Sequence, residues 1–299
     1  MKQHGLIIVN KPKGITSHTV VHRVKRTVGV DKAGHTGTLD PLATGVLPVM
    51  IGRGVKASEY LTESDKHYIA VMKLGLTTDT EDITGRVLST SEDIPSYDRV
   101  LRAVKSFVGD IEQIPPMYSA IRVGGRRLME LAREGKTVER EARSVTVYRI
   151  DALMLSEREY SLDVVCSKGT YIRTLCADIG RALGCGAVMS ELCRAEACGY
   201  TLEAAHTLDE LAEMTPEELD AAIIPLEEIF RHYPTYSPAP FFVHLTKNGL
   251  AVDTRKLAGL SPVRAGARFR LLNEEGVFYA LAEIAEEDGI LALRPLKQF

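Results

Sequence analysis

The sequence predicts an α+β fold in which a large domain is followed by a smaller, β-rich one. Its 299 residues exceed the usual size of a single domain. Strand-like and helix-like segments are interspersed up to about residue 232, and a stretch rich in proline and serine, residues 233–240, interrupts both patterns. We therefore expect two domains, at residues 1–232 and 237–299.

The first half of the chain combines apolar strands with one basic helix. Ser17 is expected to cap that helix, whose valines recur at helical spacing, and Gly29 ends it. The cations on its other faces suit either a solvated surface or a surface that contacts phosphates. A second helix is expected after Ser96 and stops at Gly109. The predicted strands in this half are 5–9, 46–51 and 68–74.

The second half begins with two alternating segments, 145–155 and 160–166, which we expect to pair as strands. A helix follows, with Arg173 in its first turn and Gly184 beyond its end. A cation at that position opposes the helix dipole, so Arg173 indicates an anionic partner elsewhere. Two capping boxes, at 207–210 and 215–218, mark short helices, and the alternating runs after residue 240 are typical of a small β-barrel.

The glycine-rich stretch 34–47 is predicted to be a loop that leads into a buried strand. Pro41 restricts the backbone of Asp40, so one carboxylate is displayed on a stiff support. Residues 29–36 approach a nucleotide-binding P-loop, but His35 replaces the lysine that must meet the phosphates, and a helix precedes the motif where a strand is required. We therefore expect no nucleotide cofactor.

Residues 113–143 form the most cationic segment of a protein whose net charge is −3. The segment carries glycines that can act as hinges, at 124, 125 and 135. A charged surface hairpin is one interpretation; a flexible arm that grips RNA is the preferred one. Its basic residues are Arg122, Arg126, Arg127, Arg133, Lys136, Arg140 and Arg143.

Other features indicate a cytoplasmic protein without a metal site. The apolar run at 5–9 is too short for the core of a signal peptide, and no run could cross a bilayer. The five cysteines lack the spacing of a zinc site and suit small buried residues in a reducing compartment. The acidic stretch 75–82 does not match a calcium loop, so we expect it to be a solvated polar loop.

The segment Gly34-His35-Thr36-Gly37-Thr38-Leu39-Asp40-Pro41 closely resembles the TruB family of tRNA pseudouridine synthases. The resemblance continues in the family's order through four more motifs, and covers roughly residues 5–200. Residues after 237 resemble, more weakly, the RNA-binding PUA domain of bacterial members. The further motifs are Asn10-Lys11-Pro12-x-Gly14, Asp65-Lys66-His67-Tyr68, Ile114-Pro115-Pro116-Met117-Tyr118-Ser119-Ala120 and Gly169-Thr170-Tyr171-Ile172-Arg173-Thr174-Leu175.

The resemblance implies a pseudouridine synthase fold, with a large mixed, mainly antiparallel sheet, an inserted basic arm and a PUA-like domain. It implies that uridine 55 in the T-loop of tRNA is flipped out and isomerised, without cofactor or metal, by a protein we expect to be monomeric. Asp40 would be the catalytic carboxylate, Tyr68 would stack on the base, Arg173 would hold Asp40, and Leu192 would wall the pocket. The implied base pocket also includes Tyr171.

The resemblance also implies contacts with the T-arm of tRNA. His35 would meet the flipped nucleotide, and the remaining RNA contacts would come from residues near the loop and in the arm. Two positions depart from the family pattern: Asn10 stands where an aspartate is common, and Cys193 where an arginine commonly follows the leucine. The expected RNA-contacting residues are Lys11, His35, Thr36, Arg126, Arg127 and Arg133.

Two other classes of function fit parts of the sequence. A tRNA-binding protein without catalytic activity would use the basic arm and the tail, but it would have no need of a carboxylate facing a polyanion. A glycosidase would need a second acid beside Asp40, and the sequence shows no evident pair.

Overall fold

The computed structural model describes residues 4–119, 121–287 and 289–299. Residues 1–3 of the expected large domain, Ala120 of the expected arm and Asp288 of the expected small domain lie outside the described residues. The strands of the described chain are β1 (Gly5–Lys11), β2 (Ala33–His35), β3 (Thr44–Ile51), β4 (Lys66–Leu74), β5 (Leu76–Thr78), β6 (Val87–Thr90), β7 (Gly109–Gln113), β8 (Arg122–Val123), β9 (Arg126–Arg127), β10 (Arg143–Met154), β11 (Glu159–Cys166), β12 (Ala187–Ala197), β13 (Tyr200–Thr201), β14 (Thr235–Tyr236), β15 (Val252–Asp253), β16 (Arg268–Leu272), β17 (Phe278–Glu287) and β18 (Ile290–Gln298).

The helices lie mainly in the first three quarters of the chain. Short 3-10 helices occupy Gly52–Ala57, Leu202–Ala204 and Thr254–Lys256. In the part of the chain that the structure describes, no helix is both long and apolar enough to cross a membrane. The α-helices are α1 (Ser17–Val28), α2 (Ser58–Thr62), α3 (Tyr97–Lys105), α4 (Leu128–Arg133), α5 (Ile172–Leu183), α6 (Leu208–Glu213), α7 (Pro216–Ala222), α8 (Leu226–Ile229) and α9 (Pro240–Lys247).

A large sheet forms the centre of the molecule, with its strands in the order β1-β3-β12-β4-β11-β10-β7. Strand β2 adds to β3, and β13 adds to β12. Neighbours pair antiparallel except β12 and β3, which run parallel at Arg194 opposite Gly45. The expectation of a large mixed, mainly antiparallel sheet is therefore confirmed.

The main core lies between this sheet and helices α1, α3 and α5. Val20, Val24 and Val28 of α1 are buried in it, as the helical spacing of these valines predicts. Helix α5 ends at Gly184, which has a φ of 82° and caps the helix in the left-handed conformation. Both capping boxes form, at the starts of α6 and α7.

Two predicted helix boundaries are wrong. Thr16 caps α1, and its hydroxyl accepts a hydrogen bond from the Thr19 amide. Ser17 instead lies in the first turn and turns inward toward the loop that carries Asp40. Helix α3 ends at Lys105, well before Gly109, which begins β7. Ser17 does not cap α1 because its hydroxyl bonds to the distant Leu39. Helix α3 does not reach Gly109 because that residue belongs to the next strand.

The expected small β-barrel is a five-stranded sheet in the order β14-β16-β17-β18-β15. Among the described residues its two outer strands do not pair with each other, so no closed barrel forms. The sheet starts before residue 237, because Thr235–Tyr236 already pairs with β16. The tail also packs on the large domain, since Phe299 and Phe278 both contact the ring of Phe230.

The cationic segment folds as a small hairpin of β8 and β9 followed by α4. Leu128 and Leu131 of α4 are buried. The Leu128 amide donates to the Ile121 carbonyl oxygen, and the Met129 amide donates to the Ser119 carbonyl oxygen. Apolar contacts and backbone hydrogen bonds therefore hold α4 against the base of the segment, while the arginines of the hairpin and of α4 stay exposed.

Gly45 is expected to be indispensable for the parallel pairing of β3 and β12. Its φ is 100°, and a Cβ would lie 2.3 Å from the Arg194 carbonyl oxygen. Gly109 is the matched control, because its φ is 106° but a Cβ there would meet no atom within 4 Å. We predict that Gly109→Ala lowers the free energy of unfolding by about 1 kcal/mol, and Gly45→Ala by about 3 kcal/mol or more, in urea titrations. Equal losses would contradict this account of Gly45.

Candidate active site

The loop between β2 and β3 carries Asp40 and is held in place by hydrogen bonds to neighbouring segments of the chain. The Leu39 amide donates to Ser17 Oγ at 2.8 Å, and Ser17 Oγ donates to the Leu39 carbonyl oxygen at 2.9 Å. The Gly14 amide donates to the Pro41 carbonyl oxygen at 2.7 Å. Hydrogen bonds from helix α1 and from the β1–α1 turn therefore fix the backbone on both sides of Asp40, whose side chain stays about one-third exposed (36%).

Lys11 supports the same loop from inside the protein. Its side chain is fully buried, and Nζ donates to the carbonyl oxygens of Ala43 at 2.6 Å and Pro12 at 2.9 Å. Burial lowers the pKa of Lys11 to about 8, although the charge of Asp40 opposes the shift. Lys11 was expected to contact RNA, as was Thr36, which is also buried and lies 3.6 Å from Cys198 Sγ. Both side chains are therefore buried in this structure, and their contact with RNA stays a prediction.

Arg173, in the first turn of α5, connects Asp40 to two other parts of the chain. Its Nε lies 3.0 Å from Asp40 Oδ2. Its Nη1 donates to the Thr80 carbonyl oxygen at 3.1 Å, and its Nη2 donates to the Tyr118 carbonyl oxygen at 2.8 Å. The anionic partner that the sequence indicated for Arg173 is therefore Asp40, and the backbone contacts fix the plane of the guanidinium.

Asp82 is a second carboxylate on the same guanidinium, with Oδ2 3.6 Å from Arg173 Nη1. It is only 6% exposed, so the expectation of a solvated polar loop is wrong for this residue. Its Oδ1 accepts hydrogen bonds from the Thr84 amide and from the hydroxyls of Thr80 and Thr84. These bonds compensate for burial of the charge. A count of acidic residues in the sequence does not show these bonds, so it could not identify Asp82 as a buried residue of the site.

The electrostatics of Asp40 reflect opposing effects. Burial raises the pKa of its carboxyl above the usual value for aspartate. Arg173 lowers this pKa, Asp82 raises it, and Lys11 lowers it again. Since the folded-state pKa is raised, Asp40 stabilises the fold most at pH values below its unfolded pKa, and this contribution is lost as pH rises through the folded value.

Tyr68 and Leu192 lie on neighbouring strands beside the loop. Both side chains are largely buried. The register places Leu192 opposite Ala70, two residues from Tyr68 in β4. Burial raises the pKa of Tyr68, and the charge of Asp40 raises it further. The register therefore puts Tyr68 and Leu192 on the same face of the sheet, where the charge of Asp40 acts on Tyr68.

Tyr171 and His35 flank this group. Tyr171 precedes α5, where its backbone exchanges two hydrogen bonds with the Gln113 side chain. Burial raises the pKa of Tyr171, and Asp40 contributes to the shift. Nδ1 of His35 accepts a hydrogen bond from the Gly37 amide at 3.2 Å, and burial lowers the His35 pKa, so the ring is mainly neutral at pH 7.

The arginines of the cationic segment lie outside this group. Arg126, Arg127 and Arg133 are exposed, and Arg126 forms an ion pair with Glu134. Glu134 also binds Lys136, and these two partners lower its pKa to about 2. The segment nevertheless meets the site at its base, because the Tyr118 carbonyl oxygen is a partner of Arg173.

Arg194 is a further buried residue of the site that the sequence did not reveal. It is 2% exposed, and its Nε donates to the Val46 carbonyl oxygen at 2.7 Å. Its only sequence signal is its position two residues after Leu192, next to Cys193.

Comparison with known proteins shows the family to which this chain belongs. The model of the TruB family pseudouridylate synthase N-terminal domain matches residues 25–172, and that of the tRNA pseudouridylate synthase B C-terminal domain matches residues 173–231. The chain belongs to the TruB family. Members of this family are pseudouridine synthases, which are isomerases, so the chain is an enzyme of that class.

Curated TruB relatives match over nearly the whole chain. The tRNA pseudouridine synthase B of Clostridium novyi is 44% identical over 93% of this chain and 94% of its own length. That of Pseudomonas paraeruginosa is 40% identical over 98% of this chain and 95% of its own length. Sequence similarity therefore extends into the tail sheet.

Solved structures place the TruB fold in a wider group. A chain from the crystal structure of a Cbf5-Nop10-Gar1 complex superposes with a TM-score of 0.74 at 29% identity, covering 99% of this chain and 85% of that chain. A chain from an H/ACA RNP bound to a substrate RNA containing 2′-deoxyuridine gives 0.72 at 27% identity, covering 99% and 85%. The pseudouridine synthase fold is therefore confirmed.

The opposing effects on Asp40 predict the direction in which its pKa moves in two variants. Arg173→Met removes the nearest cation and should raise this pKa, whereas Asp82→Asn removes a nearby negative charge and should lower it. The measurement is a carboxyl-carbon NMR titration. The exposed Asp151, which is bound to Lys105 and Arg149, serves as an internal control and should not move. Shifts of the same sign in both variants would rule out this account.

Proposed function

We propose that this chain isomerises uridine 55 in the T-loop of tRNA to pseudouridine, with Asp40 as the catalytic carboxylate. The observation that carries the proposal is the ion pair between Asp40 and Arg173, with Tyr68 and Leu192 beside it. The names of the curated relatives support tRNA as the substrate. The ordered motifs shared with the family support position 55.

The reaction breaks the bond between N1 of uracil and C1′ of ribose, rotates the base, and forms a bond from C5 to C1′. The C5 proton is then lost and N1 gains a proton, so the atoms balance without an oxidant, a reductant or a nucleotide. Asp40 is suited to the first step because it can attack C1′ or C6 as a nucleophile. Arg173 keeps the carboxylate ionised and directed, since its other nitrogens are fixed by Thr80 and Tyr118.

The target base must leave its stack before Asp40 can reach it. We infer that Tyr68 stacks on the flipped uracil and that Leu192 walls the pocket, so the detached base rotates without escaping. Tyr171 closes the side of the pocket at the start of α5. His35 is suited to brace the vacated space, since a neutral imidazole can stack on bases without binding a phosphate.

We assign binding of the T-arm of tRNA to the basic protein segment at residues 113–143 and to the tail. The arm presents exposed arginines, and its base touches Arg173 through Tyr118. We assign a PUA-like, RNA-binding role to the tail sheet and expect a monomeric enzyme. Direct phosphate contacts are assigned to Arg126, Arg127 and Arg133.

A glycosidase remains the poorer interpretation even though Asp82 supplies a second carboxylate. A glycosidase acid must present a proton to the leaving oxygen. Both oxygens of Asp82 face hydrogen-bond donors or Arg173, and the residue is buried. Asp82 therefore suits the role of orienting Arg173 and not that of a proton donor.

A protein that only binds tRNA is also disfavoured. Asp40 carries the same charge as the RNA backbone and therefore opposes binding. Ser17, Gly14 and Lys11 all hold its loop in place. We take this support as favouring a carboxylate that acts on the substrate.

Asp40→Asn should reduce pseudouridine formation on a tRNA transcript by about 10⁴-fold or more, because an amide cannot act as the nucleophile. The assay is tritium release from C5-labelled tRNA, with the modified position mapped. The dissociation constant for tRNA should stay within about twofold. Asp151→Asn, the same change at an exposed position, should remain fully active. An active Asp40→Asn enzyme, or modification at another position, would refute the assignment.

Replacing Arg126, Arg127 and Arg133 together by Ala should weaken tRNA binding and flatten its dependence on salt by about one unit of slope per lost phosphate contact. Glu134→Gln should have the opposite effect, because it releases Arg126 and Lys136 for phosphates. Filter binding over a range of salt concentrations measures both. Arg149→Ala, outside the arm, is the control. Unchanged binding in the triple variant would make the arm an ordinary charged hairpin.

A further inference from the structure

Arg194 lies in β12, the strand between β3, which follows the Asp40 loop, and β4, which carries Tyr68. In β12 it pairs with Tyr68 of β4 on one side and with Gly45 of β3 on the other. The first pairing is antiparallel and the second is parallel. Cross-strand partners project on the same face of a sheet, so the Arg194 side chain emerges next to Tyr68.

The guanidinium of Arg194 binds the backbone on both sides of Asp40, in the loop before it and in strand β3 after it. Its Nε donates to the Val46 carbonyl oxygen at 2.7 Å, and its Nη2 donates to the Gly37 carbonyl oxygen at 3.3 Å. These carbonyls flank Asp40, and a planar guanidinium can bind two such acceptors in a fixed orientation. Lysine has a single ammonium group and cannot reproduce that fork.

No carboxylate forms an ion pair with Arg194 within the described residues. Burying a cation without such a partner is costly, so packing alone does not explain the residue. Its charge acts instead on the groups of the site. It opposes part of the rise that burial causes in the pKa of Tyr68, and it helps burial to lower the pKa of His35.

We propose that Arg194 is a positioning residue of the isomerisation, holding the Asp40 loop and the Tyr68 ring in register through its fork to Gly37 and Val46. The inference rests on the proposed function, because it assigns Arg194 a role through Asp40 and Tyr68. Arg194 does not itself touch the base. Its removal should therefore slow the chemical step and leave tRNA binding intact.

The test compares Arg194→Met with Arg194→Lys in single-turnover assays on tRNA, alongside dissociation constants and thermal unfolding. Arg194→Met should lower the single-turnover rate about 100-fold, as expected for a small misplacement of reacting groups. Its affinity for tRNA should stay within about twofold. Arg194→Lys keeps the charge but loses the fork, so its rate should fall between those of Arg194→Met and the wild type.

Arg158→Met is the matched control. Arg158 also donates to a backbone carbonyl, that of Ser91, and pairs with Glu92 away from the site. This variant should lose stability without losing rate. An NMR titration of His35 supplies a reading that simple loss of packing would not give: its pKa should rise in Arg194→Met and not in Arg194→Lys. The charged and titratable groups facing His35 are Arg194 from β12 and His18 from α1.

Three results would overturn the proposal. The first is a single-turnover rate for Arg194→Met within about threefold of the wild type. The second is a loss of tRNA affinity equal to the loss of rate, which would make Arg194 an RNA-binding residue. If Arg194→Met does not fold, a wild-type rate in Arg194→Lys would dismiss the fork. An inactive wild-type enzyme would instead count against the proposed function.

Discussion

The ion pair between Arg173 and Asp40 is the interaction on which the rest of the site depends. The guanidinium touches the 80–82 loop, the base of the cationic arm and the loop that carries Asp40. These three segments are far apart in the chain, and all meet at the first turn of α5. An arginine is suited to this position because it stays charged when buried and can direct separate N–H groups to several acceptors.

The order of strands explains how this pair meets the rest of the pocket. Strand β12 lies between β3, which follows the Asp40 loop, and β4, which carries Tyr68. Since β12 runs parallel to β3 and antiparallel to β4, it sets the register of both. The absence of a side chain at Gly45 allows the close approach of β3 to the backbone of β12. The fold thus places the site where the pairing of neighbouring strands changes from antiparallel to parallel.

Much of the fold could be predicted from local signals in the sequence, and the missing parts share a physical cause. The strands, α5 with Gly184, and the capping boxes follow from periodicity and from contacts a few residues apart. Asp82 and Arg194 were missed because their burial is made possible by partners that are distant in sequence, Arg173 for one and Val46 for the other. The hydroxyl of Ser17 suits a helix cap, but it accepts a hydrogen bond from the Leu39 amide instead, so the sequence alone assigns the cap of α1 to the wrong residue.

The proposed role of Asp40, a carboxylate that acts on RNA, raises an electrostatic problem that the buried cations help to solve. Asp40 and the phosphates repel each other, and exposed cations placed nearby would bind phosphates themselves. Lys11 is fully buried and Arg173 is 5% exposed, so both offset the charge of Asp40 from behind. Cations meant for phosphates can then lie elsewhere on the surface, as the arginines of the arm do. Burial therefore separates the cations that support the carboxylate from those suited to hold the substrate.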